Sequence, residues 1–403
     1  EIASLRWRLL EVREQTYDLQ GMRSEQSDDV ETLRMLAEAM GDDCRRAYAA
    51  YRRSNLAYRI VDTTACERAA QTAIALASFA GDHVLRLRAQ RLLAFARRDS
   101  GDFESAKAVA QQGLAEARQL GLKSVESGFL DTLAGIVGWQ EDLLGTVELS
   151  CESLRIEREI KDRRGEVLTL GNLGAAWLGL GDFEQAAHVL EEGLQLARSI
   201  GDRANEGNCL VNLAQVSQWQ GDGERALALS RAAHDLAAAM KAPDYEIFAL
   251  LVRGDAELHL GHSEEAFGTY DRALSLALRI DSPLRHNATA GLIRVALAQG
   301  DTAAALRHVE ALLPHLSTGR ALDGADSPRL IELTCYRALS RVSDPRAAQL
   351  LHAAYAALRA KADSLVDAAR RDEFLGRIPH HREIVAAWRM LSPVTHGGPN
   401  ADA

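Results

Sequence analysis

The stretch Asn172-Leu173-Gly174-Ala175-Ala176-Trp177-Leu178-Gly179-Leu180-Gly181-Asp182-Phe183-Glu184-Gln185-Ala186 contains one complete helix stop and one helix start. Gly181 supplies the left-handed residue that ends a helix, and Asp182 accepts from the free N–H groups that open the next. The same Gly-Asp pair stands at Gly41-Asp42, Gly81-Asp82, Gly101-Asp102, Gly201-Asp202, Gly221-Asp222 and Gly300-Asp301, with Gly121, Gly261 and Asp281 on the same grid. The step is twenty residues, so each step is a helix of about 17 residues, roughly 25 Å long.

Within the steps, small and apolar residues recur at helical spacing. Ala106, Ala110, Gly113, Ala117 and Leu120 correspond to Ala186, Leu190, Gly193, Ala197 and Ile200, then to Ala226, Ser230, Ala233, Ala237 and Met240, then to Ala266, Tyr270, Ala273, Ala277 and Ile280. The unit between the first two sets is a weaker match, Thr146, Ser150, Ser153, Glu157 and Ile160. Short side chains at the centre of each helix let two helices approach closely. The alternate helices carry Leu133-Ala134, Leu173-Gly174 and Leu213-Ala214, again forty apart. No segment alternates with period two between hairpin turns, so an all-α fold is expected: an α-solenoid of stacked antiparallel helix pairs.

The 403 residues are 47% hydrophobic, 26% charged and 5% aromatic, with net charge −10. That composition suits an ordered globular chain, and the acidic balance argues against nucleic acid as a partner, whose binding is driven by cations. Apolar runs fall far short of the ~20 residues that cross a bilayer, so no membrane association is expected. The charged start lacks a secretory signal, and a cytoplasmic setting follows. Cys44, Cys66, Cys151, Cys209 and Cys335 are scattered without a CxxC spacing and fit neither a disulfide framework nor a zinc site. The chain opens on Glu1 rather than Met, as expected of a piece of a longer polypeptide.

The Leu173-Gly174 pair, the aromatic Trp177 and the small Ala186 beyond the turn resemble the tetratricopeptide repeat, here with forty residues per unit instead of the usual 34 or so. The likeness is to the long-helix variety of cell-polarity adaptors and bacterial regulators. It is closest over 162–241, and it departs at Arg253-Gly254, where Leu-Gly is usual, and at Val137 and Ser217, where the aromatic is missing. The expected organisation is a helical cap or linker over 1–42, six to seven repeat pairs over 43–316, a loop over 317–328, a helical cap over 329–391 and a disordered tail over 392–403. The run from Leu333-Thr334-Cys335 to Pro379-His380-His381 resembles the extreme C-terminus of large bacterial multidomain signalling ATPases, in which a cyclase or transcription-activator module and an NTPase module precede a repeat arm; Gly376-Arg377-Ile378 departs from that pattern.

Several catalytic and metal chemistries find no support. The sequence has no Gly-Lys dipeptide and hence no P-loop. The glycines at 171, 174, 179 and 181 lack the preceding strand of a dinucleotide loop. His259 and His262 lack a third ligand, and the adjacent His380 and His381 point about 100° apart on a helix. No enzyme activity, cofactor or metal is expected.

Solenoids bind on their concave face, and the resemblance implies that the first helix of each unit lines it. Carried over by position, the groove-binding residues are Arg88, Arg91, Arg98, Asp131, Trp139, Asn172, Asn208, Asn212, Gln215, Trp219, Asp255 and His259. This lining runs from cationic through amide-rich and aromatic to acidic. Asn172 and Asn212 hold the place whose amide, in peptide-binding relatives, bonds a ligand backbone. Trp139 and Trp219 have an alternative reading, in which each packs on the following helix. The expectation is a scaffold or sensor arm that holds a protein or peptide segment and regulates an attached signalling domain, an N-terminal NTPase or output domain of the same polypeptide. The alternatives are an intramolecular autoinhibitory arm, and a small-molecule or oligonucleotide sensor using Arg88, Arg91 and Arg98.

Overall fold

Left-handed backbone punctuates the chain every twenty residues. It falls on glycine at 41, 81, 101, 121, 181, 201, 221 and 261, and on Val61, Glu141, Lys161 and Asp281 where the grid has no glycine, with φ of 60°, 60°, 60° and 54° at those four. The residue after the mark closes the next helix start. Asp42, Asp62, Asp82, Asp102, Asp142, Asp162, Asp182, Asp202 and Asp222 each accept from the backbone N–H three residues on, at 2.9–3.2 Å. Each such cap stabilises its helix by about 1 kcal/mol. At Gly300 the grid slips by one residue, and the preceding helix is correspondingly short.

The computed structural model describes residues 2–391 apart from 21, 241, 317–321 and 323. The expected loop 317–328 lies partly outside the described residues, and the expected tail 392–403 lies wholly outside them. The described residues form twenty helices and no strand, arranged in two compact units, Glu1–Thr169 and Leu170–Ala403. The first holds α1 (Ile2–Gln20), α2 (Arg23–Met40), α3 (Asp43–Arg59), α4 (Thr63–Ala80), α5 (His83–Asp99), α6 (Phe103–Gln119), α7 (Lys123–Trp139) and α8 (Leu143–Ile160). The division falls within α9 (Arg163–Leu180). The second unit continues with α10 (Phe183–Ile200), α11 (Arg203–Trp219), α12 (Gly223–Met240), α13 (Pro243–His259), α14 (Ser263–Arg279), α15 (Arg285–Ala298) and α16 (Thr302–Leu316). It ends with α17 (Pro328–Ser340), α18 (Arg346–Ser364), α19 (Ala368–Gly376) and α20 (Pro379–Leu391).

In the first unit α3, α5 and α7 touch in turn; in the second α11, α13, α15 and α17 do. The intervening helices make no comparable contact with one another. Within each unit, touching helices beside splayed ones place the touching layer on the inner side of the bend.

Small residues set the approach between layers. A Cβ on Gly113 would lie 2.1 Å from the Phe129 ring, and one on Gly174 would lie 2.3 Å from Leu190. Tyr270 occupies the position of Ala110, Ser150, Leu190 and Ser230 in the other units, is the largest of the five, and is fully buried. Gly254 of α13 and Gly291 of α15 make room for it, since a Cβ on either would come within 2.7 Å of its ring. Gly254 keeps the glycine of the Leu-Gly pair, as Gly174 does beneath Leu190, and the departure is Arg253, which pairs with Glu257 at 2.7 Å.

Candidate functional site

The inner faces of the two units are different in kind. In the first, arginines of α5 lie across glycines of α7. Arg91 crosses Gly128, where a Cβ would meet its guanidinium at 2.2 Å, and Arg98 lies over Gly135. Arg91 donates from Nε to Thr132 at 3.3 Å, and its charge faces Asp131, which accepts from Thr169 at 2.9 Å. Burial lowers the Arg91 pKa, with Asp131 opposing the shift. Arg98 pairs with Asp99 at 2.7 Å and stacks over Phe95 and Trp139, 5.1 and 6.0 Å from their centroids. Only Arg88 of the three is exposed. The cationic strip that an oligonucleotide sensor would need is thus not formed: Arg91 is turned onto its own helices and Arg98 is already paired. Trp139 stays 57% exposed at the end of α7.

Beneath this face lies a buried polar patch. Thr146, Ser150, Ser153 and Glu157, the stripe that matches the repeat worst, are all buried on α8. Ser153 donates to the Ser127 carbonyl at 3.0 Å and to Glu157 at 3.3 Å. Gly165 leaves space for the Glu157 carboxyl, since a Cβ there would lie 2.6 Å from it. Burial, then the nearby Asp131 carboxylate, pushes Glu157 up to about 8. Burial also raises Asp131. Burial and a neighbouring carboxyl both disfavour the charged form.

The inner face of the second unit encloses a cavity of about 620 Å³, within the range of ligand sites. Its walls are the inner sides of α11, α13, α15 and α17, with α20 laid against them. Gln215, Trp219, Asp255 and His259, four of the residues singled out above, converge on it, joined by Phe248, Arg294 and Arg337. Asp255 pairs with Arg294 at 2.6 Å and accepts from the Tyr270 hydroxyl. Arg294 lies over the Tyr270 ring at 5.5 Å, and its Nε is buried without a hydrogen-bond partner. Arg337 pairs with Glu383 of α20. Burial, then Arg294, lowers the Arg337 pKa. Asn287 joins α15 to the segment before α17 by donating to the Asp326 carbonyl and accepting from its N–H at 3.0 Å.

Three other expected groove residues lie in this unit outside the cavity. Asn212 is buried and donates to the carbonyl and the side-chain oxygen of Asn208, both at 3.0 Å, so its amide N–H serves its own helix. Asn208 lies over Gly171, and Asn172 is half-buried on α9. Trp219 is half-buried edge-on to Phe183 and to His380 of α20, with centroids 5.9 and 5.7 Å apart. Its ring thus packs on α10, the preceding helix, and on the C-terminal helix, while one edge faces the cavity.

Sequence reasoning missed the part played by α19 and α20. Arg370 of α19 pairs with Asp182 at 2.7 Å and lies over Trp177 at 5.0 Å. Arg377 forks onto Glu184 with both bonds at 2.9 Å, donates to the Gly181 carbonyl at 3.3 Å and lies over Phe183. The C-terminal helices are latched to the α9–α10 turn and close one side of the cavity. His380 and His381 are buried, and burial holds both well below the usual histidine range.

Among the described residues no group of three or more side chains is placed to hold a metal ion, and no helix is long and apolar enough to cross a membrane.

The fold is that of tetratricopeptide-like helical repeat proteins, and the chain is an all-α repeat protein of that class. No family model matches it. Among solved structures, the apo quorum sensor NprR from B. thuringiensis superposes with TM-score 0.60 at 13% identity, covering 88% of this chain and 99% of that one. A signal transduction ATPase with numerous domains and a tetratricopeptide repeat sensor, from Pyrococcus horikoshii, gives 0.58 at 18% identity, covering 79% of this chain and 49% of that one. A Rap protein complexed with Competence and Sporulation Factor gives 0.55 at 13% identity, covering 88% and 100%. Among curated proteins, the outer dynein arm-docking complex subunit 4 of Xenopus laevis is 25% identical over 154 residues, 36% of this chain and 28% of that protein. The chain thus spans about a quarter of that subunit and about half of the ATPase.

Proposed function

We propose that this chain is a non-catalytic binding and sensing module that takes a short peptide segment into the cavity of its second unit. The observation that carries this reading is the convergence of Gln215, Phe248, Asp255 and Arg294 on one 620 Å³ space bounded by inner-layer helices. Carboxamides supply both a donor and an acceptor to a peptide backbone. Phe248 and the Trp219 edge give apolar area, and the buried Arg294 Nε awaits an acceptor. The likeness to a quorum sensor and to a Rap protein in complex with a factor supports the same reading. Occupancy of a space walled partly by α20 would shift the latch, and through it a signalling domain of the same cytoplasmic polypeptide, provided the ligand discriminates between latched and released forms.

The test is selection of short peptides from a displayed random library on the immobilised chain, with affinity measured by calorimetry. Enriched peptides should bind Phe248→Ala and Gln215→Ala at least about tenfold more weakly, roughly 1.4 kcal/mol, while helical circular dichroism is unchanged. Failure to enrich any peptide, or equal affinity for the variants, overturns the proposal.

A further inference from the structure

Helix α1 carries two apolar faces. One, with Trp7 and Leu10, is buried against Leu33, Ala37 and Ala49 of the first unit. The other is open: Ile2, Leu5, Leu9 and Val12 are 84%, 56%, 72% and 65% exposed. Isolated exposed apolar residues need no explanation, but these four form a single row. Their spacing is three, four and three, which is the a and d seam of a heptad repeat, and a seam of that period is what one strand of a coiled coil presents to another helix.

The flanking positions identify the occupant. With Ile2 and Leu9 at a and Leu5 and Val12 at d, the e positions are Arg6 and Arg13 and the g positions are Glu1, Arg8 and Gln15. Arg6 and Arg8 are exposed and make no ion pair among the described residues. Arg13 shares its charge with Asp29, at 2.8 Å. Of the flanking positions only Glu1 is acidic, against three arginines. A second copy of α1 in a parallel pair would set Arg8 against Arg13 and gain only Glu1 against Arg6, and in an antiparallel pair would set Arg6 against Arg13, whereas acidic flanks would meet three arginines. The geometry points to α1 as a docking helix for an amphipathic helix of a different polypeptide, with apolar residues at its own a and d positions and Glu or Asp beside them.

Two synthetic three-heptad peptides, with Ile at a, Leu at d and either Glu or Lys at e and g, test this on the full chain by fluorescence anisotropy. The Glu peptide should bind, should weaken as salt is raised because the flanking charges are exposed, and should be at least about tenfold tighter than the Lys peptide. Leu5→Gln with Leu9→Gln should abolish binding; both positions are exposed, so the thermal transition should not move. Arg6→Glu with Arg8→Glu should invert the preference toward the Lys peptide, a result that mere stickiness of an apolar stripe cannot give. Equal affinity for both peptides, binding of neither, or a sedimenting dimer of the chain that Leu9→Gln dissociates would each overturn the proposal. A failure of the second-unit cavity to bind peptides leaves this test untouched, because α1 lies in the first unit.

Discussion

Val61 is the residue that most opposes its own backbone. It is β-branched, 76% exposed, and held at φ 60° because the twenty-residue pitch demands a left-handed residue there. A side chain in that region costs about 1–2 kcal/mol, and glycine escapes the cost. Val61→Gly is expected to stabilise the protein by about 1 kcal/mol, seen as an upward shift of the denaturation midpoint with an unchanged slope. At this scale the sequence was legible wherever glycine stood on the grid. It was mute at Val61, Glu141 and Lys161, since nothing in those side chains announces a left-handed backbone. Gly254 and Gly291 were equally unreadable alone, because their partner Tyr270 lies on another helix and its effect is a matter of volume.

At the scale of elements, helix order and termini follow from the caps, and the first-helix assignment placed Gln215, Trp219, Asp255 and His259 around one cavity. What escaped was contact between elements distant in sequence. The latch joins Arg370 and Arg377 to residues 188 and 193 positions away, and no local pattern encodes such a pair. These ion pairs are partly exposed, and each contributes about 0.2–1 kcal/mol. Arg370→Ala with Arg377→Ala should therefore cost roughly 1–2 kcal/mol of overall stability. Amide exchange should rise most in α19 and α20, by more than the overall loss of stability raises it in α11. Unaltered protection of α20 would show that its packing on α17 and α18, not the arginines, holds it. The polar stripe of α8 was visible as the poorest match in the register. Its meaning was not, because the groups that satisfy it come from α7 and α9.

At the scale of the molecule, several buried groups combine into one pH profile. Burial pushes Asp326, Glu332 and Glu157 up to about 6, 7 and 8. A carboxyl raised in the folded state makes its contribution fully below its unfolded pKa and loses it as pH climbs through the folded value. Burial likewise lowers His286 and His381 to about 4; a lowered histidine acts in the opposite sense, and its contribution fades as pH drops from about 6.5 toward 4. Between about pH 4.5 and 6 these three raised carboxyls outnumber the two lowered histidines, so thermal stability across a pH series should decline as pH rises through that window and go on falling to about pH 8. Glu157→Gln is the check. It should leave the transition near pH 5 almost unchanged and raise stability above pH 8 by roughly 1–3 kcal/mol, flattening the alkaline limb. A variant that follows the parent at every pH would remove Glu157 from the account. The all-helical class was evident from periodicity, whereas the division at residue 169 was not, since it falls inside α9, the helix that matches the repeat best.

The even spacing of the left-handed marks makes chain length a quantised property. Excising forty residues between equivalent marks, such as 181 and 221, returns every later side chain to its former azimuth. Excising thirty-nine swings the remainder by about 100° per missing residue, turning seams outward and solvent faces inward. Such a chain grows or shrinks by whole modules, and a one-residue slip is absorbed only where a helix is shortened to match, as the fourteen residues of α15 do ahead of Gly300.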